Sequence, residues 1–327
     1  MQMKMKPKKA LKCHDLIKAI NAYIAKSDTD FESVLSDAGF AEPKKTMQRI
    51  NQIEDELTDL LEDDTNMILT RIDDYENLKD FINEQWPELQ NSQDLVEKLT
   101  RVFESHLEES IPEYVTEYIL RTDAGLEAVG LTHSTTNWIQ SWSEELARLM
   151  KLNDNQTIQQ ILDDAVRDGT SVQKVSELIA ESGIRNPAYR ARKTAVTEIL
   201  RAHSVAQQES FMQSPAVEGK MWRHSGWRQY SRQNHMDMDG QQVSKNEPYT
   251  LYGADGDVYY PMYPRDAGLP AKEVINCGCI SEPIVSEYIL GLSLEERQKL
   301  QQEAIDQMND EYDRMLDEQN RKLALRT

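Results

Sequence analysis

The segment Ile275-Asn276-Cys277-Gly278-Cys279, with Arg232-Gln233-Asn234-His235 before it, decides how the second half of this chain folds. On extended backbone, residues two positions apart point to the same side, so Cys277 and Cys279 can present two sulfur atoms to one point. Gly278 between them leaves the backbone free to bend. The sequence therefore predicts a local cluster of two thiols and the His235 imidazole.

A zinc ion would suit this cluster, because two thiolates and an imidazole supply three of the four ligands of a tetrahedral site. The fourth ligand is open between His224, Asp237, Asp239 and water. The spacing differs from that of zinc fingers, which carry CxxC pairs. Reduced, buried thiols beside a hydrogen-bonded histidine fit the same residues. A catalytic cysteine is disfavoured, since no nucleophile signature surrounds the pair.

The surrounding residues, near 215–285, predict a small, loop-rich β unit. Short apolar runs at 217–222, 258–260 and 274–280 are separated by many glycines and prolines. A unit with so little apolar content stabilises itself poorly by burial. This favours an additional stabilising element, either a metal or a buried polar network of Arg232, His235 and the two cysteines.

Helical periodicity dominates the rest of the chain. Apolar residues recur every three or four positions over 47–82, with a candidate break at Asp63-Asp64-Thr65-Asn66. Strict heptads are not sustained, so we expect a helical arm that packs in antiparallel fashion on a partner helix at 92–111, which ends before Pro112. Further helices are predicted at 8–25, 30–37, 112–120 and 135–152, then shorter ones that end at Gly169 and Gly183.

Two later helices carry clear start signals. Asn186-Pro187 is an N-cap followed by proline and predicts a helix to about Met212. On this helix Glu198 and Arg201 are spaced to form an i, i+3 ion pair, for which a surface or boundary position is the simplest interpretation. The capping box Ser293-Leu294-Glu295-Glu296 begins a C-terminal helix.

Together these patterns predict an α+β fold that is mainly α. We divide the chain into an acidic helical region (1–152), short helices followed by the β unit (153–285), and a long C-terminal helix (286–327). The apolar stripes near both ends are thin, which predicts completion of the fold by assembly and an oligomer formed through the helical arms.

The charge is strongly acidic and unevenly distributed. The formal net charge is −20, and residues 51–100 hold fifteen acidic and three basic side chains, whereas 185–285 is nearly neutral. This argues against free-standing nucleic-acid binding and against an anionic membrane surface. A solvated helix face explains the acidity most simply, and contact with a basic partner surface is the alternative.

Three further features concern location. No apolar run reaches the roughly eighteen residues that a membrane span needs. The lysines near Met1 are not followed by the apolar core of a signal peptide. The odd number of cysteines, three, fits a reducing compartment. We therefore expect a cytoplasmic protein without a membrane partner.

Several segments of the second half resemble one known family. They are Ala195-Val196-Thr197-Glu198-Ile199-Leu200-Arg201-Ala202, Gly219-Lys220-Met221-Trp222, Arg232-x-x-His235 with Asp239-Gly240-Gln241, Tyr263-Pro264-Arg265-Asp266 and Asn276-Cys277-x-Cys279. In this order, over roughly 156–283, they resemble the Mu F-like head morphogenesis domain of tailed bacteriophages, whose members are minor capsid proteins. The chain departs from the family at Gly278, where arginine is common, and at Arg228, where an acidic residue is common.

The resemblance implies a minor head protein of a tailed phage or prophage. Such a protein joins the nascent capsid in low copy at or near the portal, with portal, major capsid or scaffold protein as partners and a role in DNA packaging or ejection as an extension. It is then found in the virion head, and in the host cytoplasm during assembly. The charge limits any DNA contact to a local one.

The site residues follow from the same segments. His235, Cys277 and Cys279 form the predicted metal or structural polar cluster, with structural zinc as the cofactor if one is bound. The supporting residues are Arg232, Glu198, Arg201, Trp222, Asp239 and Gly240.

Two other functions are consistent with the sequence. A zinc-dependent hydrolase would use the His/Cys site to hold a zinc-bound water. No acid/base partner stands out beside the site, so we expect no enzyme. A cytoplasmic helical adaptor unrelated to phage is the other alternative.

Overall fold

The computed structural model describes residues 31–182, 187–224 and 231–324. The helix predicted at 8–25 and the family departure at Arg228 lie outside these ranges. The described residues are mainly helical, with one three-stranded and one two-stranded antiparallel sheet. The predicted α+β class, mainly α, is confirmed.

A short helical stretch at 31–37 precedes the labelled elements. The helices are α1 (Pro43–Asp73), α2 (Leu78–Glu84), α3 (Trp86–Asn91), α4 (Asp94–Thr122), α5 (His133–Asp168), α6 (Val172–Glu181), α7 (Pro187–Gln213), α8 (Gln233–Asp237), α9 (Ala271–Val274), α10 (Glu287–Leu290) and α11 (Leu294–Ala324). The strands are β1 (Val217–Arg223), β2 (Gln242–Ser244), β3 (Leu251–Tyr252), β4 (Val258–Tyr259) and β5 (Ile280–Val285). None of the helices that the structure describes is long and apolar enough to cross a lipid bilayer.

Helix α1 is continuous through the acidic run at 63–66, so the break predicted there is wrong. The hydroxyl of Thr65 donates to the carbonyl of Leu61 at 2.8 Å, which keeps this polar residue inside the helix. Leu61 and Ile68 are buried on either side of it. The helix ends instead after Asp73, and α2 starts where the Asn77 side chain accepts from the Lys79 N–H at 3.0 Å.

Two other predicted helix ends are also wrong. Helix α4 runs through Pro112, although proline removes one backbone donor from the helix. The residues around it, Ile111, Tyr114 and Val115, are fully buried, and this packing offsets the lost bond. Helix α5 likewise joins the segments predicted as 135–152 and as the helix ending at Gly169, because its buried face continues through Asp154 and Ile158. The proposed division at residues 152 and 153 therefore lies inside a helix.

The main core is formed by α1, α4, α5 and α7. Ile50 of α1, Leu99 of α4 and Ala147 of α5 belong to one buried cluster with Ala195 and Ile199 of α7. The small side chains of α7 allow neighbouring helices to approach closely. The N-terminal helical region therefore packs on the helix that precedes the β unit, rather than extending away from it as an arm.

His203 on α7 joins three helices through polar contacts. Its Nε2 lies 2.9 Å from the hydroxyl of Thr46 on α1, and its Nδ1 lies 2.9 Å from the hydroxyl of Tyr118 on α4. The ring stacks on Tyr114, with centroids 3.7 Å apart. Burial, assisted by nearby arginine charges, holds the pKa of His203 well below its usual range. The imidazole is therefore neutral in the folded protein.

Helix α11 begins at the predicted capping box, which the structure confirms. The Ser293 hydroxyl donates to Glu296 Oε2 at 2.7 Å, and the Glu296 N–H donates back to the same hydroxyl at 3.3 Å. Gln301 and Ile305 are the buried residues of this helix. Its last turns are exposed.

The three-stranded sheet has the order β2-β1-β5. Strand β1 follows α7 directly, and Trp222 pairs with Ser281 of β5. At Gly219 a β-carbon would lie 2.9 Å from the Val243 carbonyl oxygen, so only glycine allows β2 to approach this closely. This sheet holds the end of β1 beside the start of β5, where the candidate site lies.

We predict that His203→Gln weakens the pH dependence of folding stability below about pH 6.5, the ordinary histidine pKa. The folded wild type resists protonation of His203 whereas the unfolded chain accepts it, so acid destabilises the wild type through this residue. Glutamine does not titrate. The difference in unfolding free energy between the two proteins should shrink by about 1.4 kcal/mol between pH 7.5 and 5.5.

Urea unfolding followed by far-UV circular dichroism measures this difference. The comparison from about pH 7.5 to 8.5 is the control, because histidine is neutral in both states there. A difference that stays constant down to pH 5.5 would contradict the prediction.

Candidate functional site

The structure brings together His235, Cys277 and Cys279. The two sulfur atoms lie 3.5 Å and 3.7 Å from Nδ1 of His235. The three side-chain atoms are all within 4.8 Å of one another. The three residues are 2–3% exposed, so the cluster is closed to bulk solvent.

The two cysteines lie in irregular backbone, and the strand predicted over 274–280 is wrong. Helix α9 ends at Val274, a turn follows, and β5 begins only at Ile280. The turn places Asn276 at φ 56°, a left-handed conformation that asparagine tolerates better than most residues. The Cys277 N–H closes the turn on the Val274 carbonyl at 3.1 Å. Both thiols still face His235.

Glu273 fixes the orientation of His235, and sequence reasoning did not find it. Its Oε2 lies 3.0 Å from Nε2 of His235 and accepts from the Asn234 amide at 3.1 Å. A carboxylate at Nε2 favours the hydrogen on that nitrogen, so the lone pair of Nδ1 faces the sulfur atoms. The only sequence signal for this role was an acidic residue four positions before Cys277.

Arg265 is the second residue that sequence reasoning missed. It is fully buried, and its Nη1 donates to the carbonyls of Cys277 and Cys279 at 2.6 Å and 2.8 Å. On the other side, Nε donates to the Leu200 carbonyl at 2.9 Å and Nη2 to the Ser204 hydroxyl at 2.5 Å. Arg265 thus fastens the cysteine segment to α7. Arg265 belongs to Tyr263-Pro264-Arg265-Asp266, one of the segments that resemble the family. That resemblance singled out the segment but did not assign a role to Arg265.

The predicted pair of Glu198 and Arg201 forms, and it is buried rather than at the surface. Arg201 Nη1 lies 2.6 Å from Glu198 Oε2, and both side chains are about 95% buried. Arg201 also donates to the Arg265 carbonyl at 2.8 Å, and Glu198 accepts from the Trp142 indole at 2.8 Å. The pair therefore connects α5, α7 and the loop that carries Arg265.

The other predicted supporting residues surround the cluster at different distances. Trp222 is fully buried and meets the His235 ring edge to face, with centroids 5.7 Å apart. Gly240 has φ 84° and donates its N–H to the Trp222 carbonyl at 2.9 Å. Arg232 donates to the Ile275 carbonyl at 2.5 Å. Asp239 is exposed and accepts from the His224 N–H, so it lies outside the cluster.

The thiols are electrostatically unequal. The pKa of Cys277 lies well below its ordinary value, because the Cys279 thiol donates to it and His235 and Arg265 favour the thiolate against burial. The pKa of Cys279 lies well above its ordinary value, because it keeps the shared proton and is buried. The buried Trp222 indole N–H makes no hydrogen bond of normal geometry. It lies near Cys279, favours the thiolate there, and so reduces the increase in the pKa of Cys279.

The cluster supplies three ligand atoms for a metal ion. Within residues 31–182, 187–224 and 231–324, no fourth histidine, cysteine or acidic side chain joins the group. Asp237 accepts from the Gln233 amide on the exposed side of α8, and Asp239 is bound elsewhere as described. Neither aspartate suggested by the sequence is therefore in place as the fourth ligand.

A groove of about 650 Å³ passes beside the cluster without opening onto it. Helices α5 and α7 form one wall, and residues 267–275 contribute to the other. Glu198 and Arg201 line it, whereas His235, Cys277 and Cys279 do not. A molecule in the groove would contact the buried ion pair rather than the thiols.

Comparison with known proteins agrees with this description. Residues 156–282 match the family described as Phage Mu protein F like protein, which confirms the resemblance found in the sequence. The chain is also 38% identical over 216 residues to the uncharacterized protein YqbB of Bacillus subtilis (strain 168), covering 66% of this chain and 70% of that protein. No solved structure matches the chain significantly.

We predict that Arg265→Lys destabilises the protein by at least about 2 kcal/mol, because one ammonium cannot reach acceptors on both the cysteine segment and α7. Thermal and urea unfolding measure the loss. Arg223→Lys is the matched control, since Arg223 is about half exposed and its ion pairs at the surface contribute little. Equal stability of the two variants would contradict the role assigned to Arg265.

Proposed function

The chain belongs to the Phage Mu protein F like family, and we propose that it is a minor head protein of a tailed phage or prophage. The family match carries this proposal, because it spans all of α7, most of the β unit and the whole His/Cys cluster. In the proposed role a few copies associate with portal or capsid during head assembly. In the same proposal, the protein also takes part in DNA packaging or ejection.

The packing of the helical region supports a rigid docking role. Helices α1, α4 and α5 share one apolar core with α7, which also leads into β1. A partner bound to the N-terminal helices would therefore hold the β unit in a defined position. The buried Glu198 and Arg201 pair, with Arg265, reinforces this connection.

The outer face of α1 is the docking surface that we propose. Asp55, Asp59 and Glu62 are exposed and follow one another at four- and three-residue intervals, so they lie on the same side of the helix. Such a surface complements a basic patch on portal, major capsid or scaffold protein. The same charge repels DNA, which limits any DNA contact to another, local surface.

No specific observation supports either alternative function, the zinc hydrolase or the adaptor unrelated to phage. A zinc hydrolase needs a path for its substrate to the metal position, whereas the three ligand residues are 2–3% exposed and the groove does not reach them. An adaptor unrelated to phage would not explain why the chain matches a phage protein family. We therefore propose virion head as the final location, after assembly in the host cytoplasm.

Quantitative mass spectrometry of purified proheads and mature particles tests the proposal. We expect this chain in both particles at a low and reproducible copy number, comparable to that of portal. Absence from both particles would overturn the minor head role. Presence in proheads alone would assign it to assembly and exclude a function in ejection.

We predict that charge reversal of Asp55, Asp59 and Glu62 to lysine lowers incorporation into proheads at least about tenfold, since like charges at an interface cost several kcal/mol. The matched control reverses Asp306, Asp310 and Asp317, which are exposed on α11. Circular dichroism establishes that both variants fold. Equal incorporation of the two variants would exclude the α1 face as the docking surface while leaving the head role intact.

A further inference from the structure

The atoms of the His/Cys cluster have the spacing of a tetrahedral metal site. With metal–sulfur bonds of about 2.3 Å and metal–nitrogen bonds of about 2.05 Å at the tetrahedral angle, nitrogen and sulfur ligands lie roughly 3.6 Å apart. The two observed separations from His235 Nδ1 are 3.5 Å and 3.7 Å. A tetrahedral cation would lie just out of the plane of these three atoms, all of which are within 4.8 Å of one another.

Hydrogen bonds can link the three groups in a chain, with the Cys279 thiol donating to Cys277, but such a chain does not require both sulfur atoms to lie beside His235. Nδ1 of His235 has one lone pair when Nε2 carries the hydrogen, so it accepts from one thiol at a time. Both sulfur atoms nevertheless converge on it at nearly equal distance. A shared cation satisfies the nitrogen and both sulfur atoms at once.

Glu273 completes the pattern of a metal-binding histidine. Ligating histidines almost always donate their second N–H to a carboxylate, a carbonyl or water, which sets the tautomer and orients the ring. Here the carboxylate is 97–98% buried and held by Asn234 as well as His235. A buried carboxylate with this partner is expected behind a metal ligand.

The charges also balance. Two thiolates neutralise a divalent cation, and the buried Arg265 guanidinium directs its hydrogen bonds to carbonyl and hydroxyl oxygens in the described part of the chain. Arg265 donates to the backbone carbonyls of Cys277 and Cys279, so it places a positive charge beside both sulfur-bearing residues. The site is therefore prepared for a soft divalent cation.

We propose that His235 Nδ1, Cys277 Sγ and Cys279 Sγ bind one zinc ion that has a structural role. The ion joins α8 to the segment between α9 and β5, where the apolar cluster is small and centred on Trp222, Tyr249 and Leu251. The three protein ligands leave one coordination position for a small molecule such as water. This site goes beyond the head role and does not depend on it.

Metal analysis of the protein, purified without chelator or added metal, is the first test. We expect about one zinc per chain in the wild type and in Cys13→Ser, and little zinc in Cys277→Ser, Cys279→Ser or His235→Ala. Cys13 is the control because it is the one cysteine of the sequence that is not a proposed ligand. Titration of the metal-free protein with Co²⁺ should give thiolate-to-metal charge-transfer absorption only in proteins that keep both cysteines.

Glu273→Gln keeps the test valid if the ligand variants fail to fold. It preserves size and hydrogen bonding but weakens the support of His235, so zinc affinity should fall about 10–100-fold with the charge-transfer band retained. Unchanged zinc affinity in a folded Glu273→Gln protein would contradict the assigned arrangement.

Three outcomes would overturn the site. The folded wild type could contain no zinc and bind no Co²⁺. Folded Cys277→Ser and Cys279→Ser could retain the full zinc content. Mass spectrometry of the purified protein could show Cys277 and Cys279 joined in a disulfide. Each of these results leaves the head role untouched, because particle composition measures that role separately.

Discussion

The buried guanidinium of Arg265 is the interaction on which the second half of the structure depends. Its donors connect the cysteine segment to α7, and its own carbonyl accepts from Arg201. The residue adopts φ 64°, a left-handed conformation that is unfavourable for arginine. Its several hydrogen bonds hold it there. Without them, a buried cation and three backbone carbonyls would lose their partners together.

Helix α7 gives this interaction its foundation. It carries polar side chains into the interior at several positions, and each has a partner on a different element. Glu209 accepts from the N–H and hydroxyl of Thr132 at the start of α5, His203 contacts α1 and α4, and Ser204 receives Arg265. Because hydrogen bonds are directional, these partners set the angles of the surrounding helices more sharply than apolar packing alone would.

These contacts connect the N-terminal helices mechanically to the β unit. Within the described residues, α1 packs directly on α7, and Arg265 connects α7 to the segment that carries Cys277 and Cys279. A force or a docking event at the helices would reach the β unit through packed side chains. This suits a protein that must present one unit at a fixed position in an assembly.

Much of the fold followed from the sequence, because periodicity and capping are local. The helical class, the start of α11 at Ser293 and the pairing of Glu198 with Arg201 all depend on residues within a few positions of one another. The convergence of His235, Cys277 and Cys279 was also within reach, because thiols and an imidazole in a unit poor in apolar residues have few stable environments.

Only the tertiary structure decided which interruptions of the pattern matter. Pro112 and the acidic run at 63–66 read as helix ends, but burial of neighbouring residues against other helices outweighs their local preference. Glu273 and Arg265 could not be assigned, since their roles come from partners distant in sequence. The sequence by itself determined the mainly helical class and the chemistry available. The structure determined which side chains meet, because burial leaves each polar group only the partners that packing supplies.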